Sequence, residues 1–162
     1  MDESLFRLAE ETGQALKARG WMLATAESCT GGWVGEAVTA VPGSSVWYDR
    51  GFITYTNASK QEMLGVQAET LAQHGAVSEE TVREMAAGVL RHSQAHISLS
   101  ISGIAGPTGG SPDKPVGTVC FAWCIKNVSL KSERRIFAGD RHAVRQQAVF
   151  HALRGVLALL QL

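Results

Sequence analysis

Three groups of residues in this chain have the types and spacing to do chemistry. The first is Glu27-Ser28-Cys29-Thr30-Gly31-Gly32, which follows a β-forming stretch from Trp21 to Ala26 and precedes a helical pattern in Trp33, Val34, Ala37, Val38 and Val41. A strand that hands Ser-Cys-Thr-Gly-Gly to a helix start puts hydroxyls and a thiol beside N–H groups that the helix leaves unpaired. Such donors suit a phosphate or the oxyanion of an acyl-transfer intermediate, and glycine lets a ligand come close to the backbone. An ordinary N-cap with a glycine turn has the same composition. The block is not a Walker loop, because no lysine follows the glycines, and its flanks exclude the G-x-S-x-G elbow.

The second group is Tyr55-Thr56-Asn57-Ala58-Ser59-Lys60, also at a strand end and a helix start. Strand ends on one edge of an α/β sheet converge on one crevice. A tyrosine or lysine there can take the proton of a serine hydroxyl if burial or a neighbouring cation lowers its pKa; a solvated lysine is the plainer account. The third group is Arg141 and Arg145, four residues apart on one face at the start of the last helix. Cations are unfavourable at that end of the helix dipole unless an anion such as a phosphate, or the acidic cap Asp140, offsets them.

Other features are weaker. The loop Gly103 to Pro112 could bring backbone donors to a ligand, with Ser102 at its mouth, or be a simple turn. Ser111-Pro112-Asp113-Lys114 spells S-x-x-K, but that motif needs a helix, which Pro112 and the nearby glycines oppose. His92 and His96 lack the glutamate of a zincin between them, so no metal is expected. Cys120 and Cys124 lie about 13 Å apart along a strand, too far to share a metal or a disulfide. Cys29, beside a helix N-terminus, has the position of a low-pKa thiol.

These residues need a scaffold, and the periodicity supplies one. Leu5, Leu8, Thr12 and Leu16 stripe a first helix ending at Gly20; Arg50 to Thr56 reads as a second strand; short helices follow through Leu64 and over Ala68 to His74. Ser78 caps a helix with Val82, Met85, Ala86, Val89 and Leu90 inside, and Ile97, Leu99 and Ile101 alternate with serines in a strand. Val116 to Ile125 and Val128 to Phe137 form a hairpin about Lys126-Asn127, and Asp140 caps a last helix. The expectation is a three-layer α/β/α sandwich with a mixed, mostly parallel sheet of about five strands.

The 162 residues suit one domain, 1–162, able to bury its own core without staples. Fifteen basic against fifteen acidic side chains argue against nucleic acid as a partner. No apolar run reaches membrane length, Met1-Asp2-Glu3 is unlike a signal peptide, and three cysteines without framework spacing fit a reducing cytoplasm.

The motifs Ala26-Glu27-Ser28-Cys29-Thr30-Gly31-Gly32, Gly51-Phe52-Ile53-Thr54-Tyr55-Thr56-Asn57 with Lys60, Gly75-Ala76-Val77-Ser78, Ser102-Gly103-Ile104-Ala105-Gly106-Pro107 with Gly109-Gly110, Lys114-Pro115-Val116-Gly117-Thr118-Val119, and Gly139-Asp140-Arg141 with Val144-Arg145 run in order along nearly the whole chain. Together they resemble the CinA C-terminal domain family, and within it the stand-alone amidohydrolases. The resemblance implies hydrolysis of the carboxamide of nicotinamide mononucleotide to nicotinate mononucleotide and ammonia, in pyridine nucleotide salvage. It implies Ser28 as nucleophile with Tyr55 and Lys60 as proton-transfer groups, an oxyanion site at the N–H groups of Thr30, Gly31 and Gly32, Asn57, Ser102 and Gly103 along the substrate, and Arg141 and Arg145 on its phosphate. No cofactor or metal enters this scheme, and the expected partners are the small-molecule substrate and a second copy in a homodimer. Longer relatives carry an N-terminal domain with a metal-dependent pyrophosphatase activity, which this chain is not expected to have. Thr108 stands where relatives often have glycine or aspartate. The alternatives are a non-catalytic nucleotide-binding, competence- or damage-associated module, and an acyl-transfer enzyme using Cys29.

Overall fold

The structure is a computed structural model and describes residues 1–162. In chain order the elements are α1 (Glu3–Arg19), β1 (Leu23–Glu27), α2 (Trp33–Thr39), a 3₁₀ turn (Ser44–Val46), β2 (Tyr48–Ile53), α3 (Asn57–Leu64), α4 (Ala68–His74), α5 (Glu79–Arg91), β3 (Ile97–Gly103), β4 (Thr118–Ile125), β5 (Ser129–Ile136) and α6 (Arg141–Leu160). The caps read from the sequence are in place. Gly20 ends α1 in the left-handed region, Ser78 accepts from Thr81 N–H at the start of α5, and Asp140 accepts from Ala143 N–H at the start of α6.

The five strands form one sheet in the order β2-β1-β3-β4-β5. β1 pairs in parallel with both β2 and β3, and β4 pairs antiparallel with both β3 and β5. Four strands therefore share a direction and β4 alone is reversed. The sheet is mixed as expected, with its ladders split evenly between the two kinds. β1 begins at Leu23, two residues later than Trp21, because Trp21 N–H closes the end of α1 on Leu16 O and Met22 N–H goes to His96 Nδ1. β2 stops at Ile53, short of Thr56, because the carbonyls of Thr54 and Tyr55 turn to Lys60.

The two faces of the sheet differ in side-chain size. Leu23, Ile97, Leu99, Ile101, Val119, Phe121 and Trp123 face one core with α1, α2 and α6. Ala24, Ala26, Cys120 and Ala122 face the other, under α3, α4 and α5. Small residues on that face let α5 lie close enough for Ser98 to donate to Ala86 O (2.8 Å) and Ser100 to Val82 O (2.6 Å). These two hydroxyls satisfy themselves on carbonyls of the packed helix, so neither serine is buried without a partner.

The connection from β1 to β2 uses α2, on the first face, whereas the chain reaches β3 on the other side of β1 through α3, α4 and α5, on the second. The chain thus departs from β1 in both directions, and a crevice opens beyond the carboxyl ends of β1 and β3. This is the place where open α/β sheets hold ligands.

Candidate active site

Ser28 follows the last residue of β1, its N–H fixed on Ile101 O of β3 at 3.0 Å. Its side chain therefore emerges at the crevice. Lys60 lies in the first turns of α3, a helix held by a capping box in which Thr56 and Ser59 bond each other's backbone. From there the lysine turns inward and is only 1% exposed. Its Nζ donates to Ser28 Oγ at 3.0 Å, Thr54 O at 2.8 Å and Tyr55 O at 3.3 Å. No carboxylate pairs with it. Burial holds the ammonium below its ordinary pKa, with only the nearby Cys29 thiol pulling the other way. A serine hydroxyl within hydrogen-bond reach of a lysine that releases its proton more readily than in water is an arrangement that can supply a nucleophile and a base.

The two groups line a cavity of about 230 Å³ whose other walls are Cys29, Tyr55, Ala76, Val77, Ser102, Gly103, Ala105 and Arg141. Ser102 continues the row of Ser98 and Ser100 but lies beyond the start of α5, makes no such bond to a helix carbonyl, and faces the cavity. By the β1–β3 register, in which Ala24 faces Ser98 and Ala26 faces Ser100, Ser28 and Ser102 are the next neighbours on one face.

The remaining expected residues divide. Arg141 lines the cavity, with one Nη on Gly106 O at 2.8 Å and the other on Tyr55 Oη at 3.3 Å. Arg145 does not line it; its Nε donates to Cys29 O at 2.9 Å, its Nη2 to Thr30 O at 3.3 Å, and its guanidinium lies over Trp33. Tyr55 presents its carbonyl to Lys60 and Ser28, while the residue is 61% exposed with its phenol on Arg141, so the phenol is not the group beside Ser28. Asn57 begins α3 at an exposed position off the cavity wall. Gly31 N–H is taken by Ser28 O, and the N–H groups of Val34 and Gly35 in the first turn of α2 go to Glu27, leaving those of Thr30 and Gly32 without an acceptor. No group of three or more His, Cys, Asp or Glu side chains is placed to hold a metal ion.

Cys29 reverses its sequence expectation. Its thiol is buried against Gly103, and burial pushes its pKa up to about 11 despite the attraction of Arg145. The helix-terminus argument assumed an open position, and the burial decides the outcome.

A profile of the CinA C-terminal domain matches residues 5–160. The chain belongs to the CinA C-terminal domain family. It is 57% identical over 152 residues to the nicotinamide-nucleotide amidohydrolase PncC of Escherichia coli strain K12, covering 94% of this chain and 92% of that protein. It is 50% identical to the PncC of Pseudomonas putida, covering 94% of each. Among solved CinA-type structures, the competence/damage inducible protein CihA from Agrobacterium tumefaciens superposes with a TM-score of 0.95 at 41% identity, over 100% of this chain and 98% of that one. No helix of this family member is long and apolar enough to cross a membrane. Sequence reasoning missed Glu27, whose carboxylate meets the start of α2, and the wall residues Ala76, Val77 and Ala105. An acid directly before a turn that ends in two glycines was the one sequence signal for the first, and it does not by itself show where the carboxylate points.

The burial of Cys29 sets a test of the thiol. With a pKa near 11 rather than 9, its thiolate at pH 7.5 is about a hundredfold scarcer than that of an open cysteine, so iodoacetamide labels it slowly and the rate climbs with pH beyond 9. Peptide-resolved labelling against pH measures this, and a midpoint at or below 8 contradicts it.

Proposed function

We propose that this chain is an amidohydrolase that cleaves the carboxamide of nicotinamide mononucleotide to nicotinate mononucleotide and ammonia, with Ser28 as nucleophile and Lys60 as base, in pyridine nucleotide salvage. The observation that carries the reading is the Lys60 Nζ to Ser28 Oγ contact of 3.0 Å at the floor of the cavity. The names of relatives at 50–57% identity support the substrate.

In its neutral form Lys60 accepts the Ser28 proton as Oγ attacks the carboxamide carbon. The tetrahedral oxyanion is met by the free N–H groups of Thr30 and Gly32 and by the Ser102 hydroxyl beside Ser28. The Lys60 proton then goes to the departing nitrogen, the C–N bond breaks, and ammonia leaves a nicotinoyl ester on Ser28. Water attacks that ester as Lys60 takes its proton, the acyl C–Oγ bond breaks to release nicotinate mononucleotide, and Lys60 returns the proton to Ser28 Oγ. The contact of Lys60 Nζ with Ser28 Oγ, and of the Tyr55 phenol with Arg141 instead, supports Lys60 as the base.

A cavity of about 230 Å³ accommodates a pyridine carboxamide but not the ribose and phosphate, which extend to the mouth. Arg141 stands there and takes the phosphate by exchanging its Tyr55 hydrogen bond, while Arg145 adds a second positive charge and holds the Cys29-Thr30 carbonyls. Gly103 and Ser102 face the ring, and Asn57, off the cavity wall, is assigned to the part of the substrate outside the cavity. The same proposal takes the chain as one cytoplasmic domain, acting without a cofactor and assembled as a homodimer. Its three free thiols are compatible with a reducing compartment.

Ammonia release from nicotinamide mononucleotide, with the acid confirmed as product, tests the proposal. Ser28→Ala is expected to lose activity by about 10³-fold or more while still binding the nucleotide. Turnover surviving in Ser28→Ala contradicts the serine mechanism, and binding without turnover by folded wild type selects the non-catalytic module. Arg141→Ala should raise KM for the mononucleotide by about 10-fold or more and change KM for the phosphate-free riboside much less. Equal losses on both substrates contradict the phosphate role.

A further inference from the structure

Glu27 ends β1 and is 2% exposed, with a carboxylate that the chemistry above does not use. Its Oε1 accepts from Thr30 Oγ1 at 2.6 Å and from Val34 N–H at 2.8 Å, and its Oε2 accepts from Gly35 N–H at 3.1 Å. Val34 and Gly35 are the second and third residues of α2, the positions a helix cap ordinarily serves, yet the cap residue itself is Gly32 and has no side chain to offer. The acid from the preceding strand supplies the missing cap. No lysine, arginine or histidine pairs with it, so its partners are those three donors alone.

The turn that it spans is soft by composition. Gly31 and Gly32 sit at φ of 61° and 106°, where glycine is favoured, so the path between β1 and α2 rests on the hydrogen bonds that hold it rather than on side-chain limits to its dihedrals. Ser28 is fixed upstream by its N–H on Ile101 O; downstream the turn has two main-chain bonds of its own, Gly31 N–H to Ser28 O and Trp33 N–H to Thr30 O, and side chains from outside it supply the rest. Arg145 holds the Cys29 and Thr30 carbonyls on the outer side. Glu27 holds Thr30 and α2 on the inner side. A glutamine of the same shape would aim an N–H at one of three donors, so the site requires an acceptor on both oxygens.

We propose that Glu27 is a positioning residue for Ser28, fixing the Ser28 to Gly32 turn against α2 so that Ser28 Oγ remains on Lys60 Nζ. This rests on the proposed role of Ser28 as nucleophile. It assigns the acid no contact with substrate, so its loss slows the attack of Ser28 without weakening nucleotide binding.

The test compares wild type, Glu27→Gln, Thr30→Val and the double variant by two readouts. One is kcat and KM on nicotinamide mononucleotide. The other is the rate at which phenylmethanesulfonyl fluoride modifies Ser28, followed by peptide mass spectrometry: the Oγ–S bond forms, fluoride leaves and the serine proton passes to Lys60. Glu27→Gln should lower kcat by about 30-fold or more with KM within about 3-fold, and slow sulfonylation comparably. Thr30→Val should lower both by about 5-fold, and adding it to Glu27→Gln should cost less than the product of the two, because both act through one set of hydrogen bonds. Unchanged sulfonylation in folded Glu27→Gln overturns the proposal, as does a rise in KM that matches the fall in kcat. If Glu27→Gln does not fold, Thr30→Val decides alone, and no loss of either rate there overturns it. Wild type that is sulfonylated at Ser28 yet releases no ammonia refutes the substrate reading, and the sulfonylation comparison still judges Glu27.

Discussion

A lysine ammonium that is 1% exposed and has oxygen acceptors but no carboxylate within reach imposes a demand on everything around it. Removing such a charge from water is costly, and an ion pair would repay the cost while fixing the proton on the lysine. Here the repayment comes from two main-chain carbonyls and one hydroxyl, which hold the nitrogen in place and leave its proton easier to lose. The end of β2 at Ile53, the exposed phenol of Tyr55 and the capping box of α3 follow from this arrangement. The chain leaves the sheet early so that Thr54 and Tyr55 can present their carbonyls, and α3 must start where it does to swing Lys60 inward.

The rest of the fold brings Ser28 to that nitrogen. β1 is an interior strand, its neighbours fix its register on both sides, and the chain's departure from it in two directions opens the crevice at its carboxyl end. The alanine and serine face beneath α5 brings the second helical layer close, and its serine row ends at Ser102, a hydroxyl that faces the cavity beside Ser28. α6 contributes two arginines, Arg141 lining the cavity and Arg145 bracing the turn that follows Ser28. A residue four positions further along one helix face thus serves the backbone, while its neighbour serves the mouth.

Much of this was legible in the sequence because it is local. Glycine at the end of α1, Ser78 and Asp140 as caps, and the alternation of Ile97 to Ser102 each act within a few residues, and the element order follows from them. The convergence of Ser28 and Lys60 was legible too, since Ser28 follows one strand of the sheet and Lys60 lies early in the helix that follows the neighbouring strand. What escaped depends on contacts between distant segments. The burial of Cys29 requires Gly103 from β3, the engagement of Arg145 requires carbonyls more than a hundred residues earlier, and the direction of the Tyr55 ring requires Arg141. Glu27 escaped for a different reason: an acid at a strand end has many ordinary explanations, and only the orientation of α2 shows that its donors point to it.

The central claim is that Lys60, not an acid-paired cation, is the base beside Ser28, and its own titration measures this most directly. With lysine side chains labelled with ¹³C at Cε, the Lys60 signal is assigned by its loss in Lys60→Met, and its shift is followed against pH in the folded protein. The account predicts a midpoint below the ordinary 10.5, because burial disfavours the ammonium. A midpoint at or above 10.5 would mean that the site stabilises the charge, and would contradict the assignment of Lys60 as base.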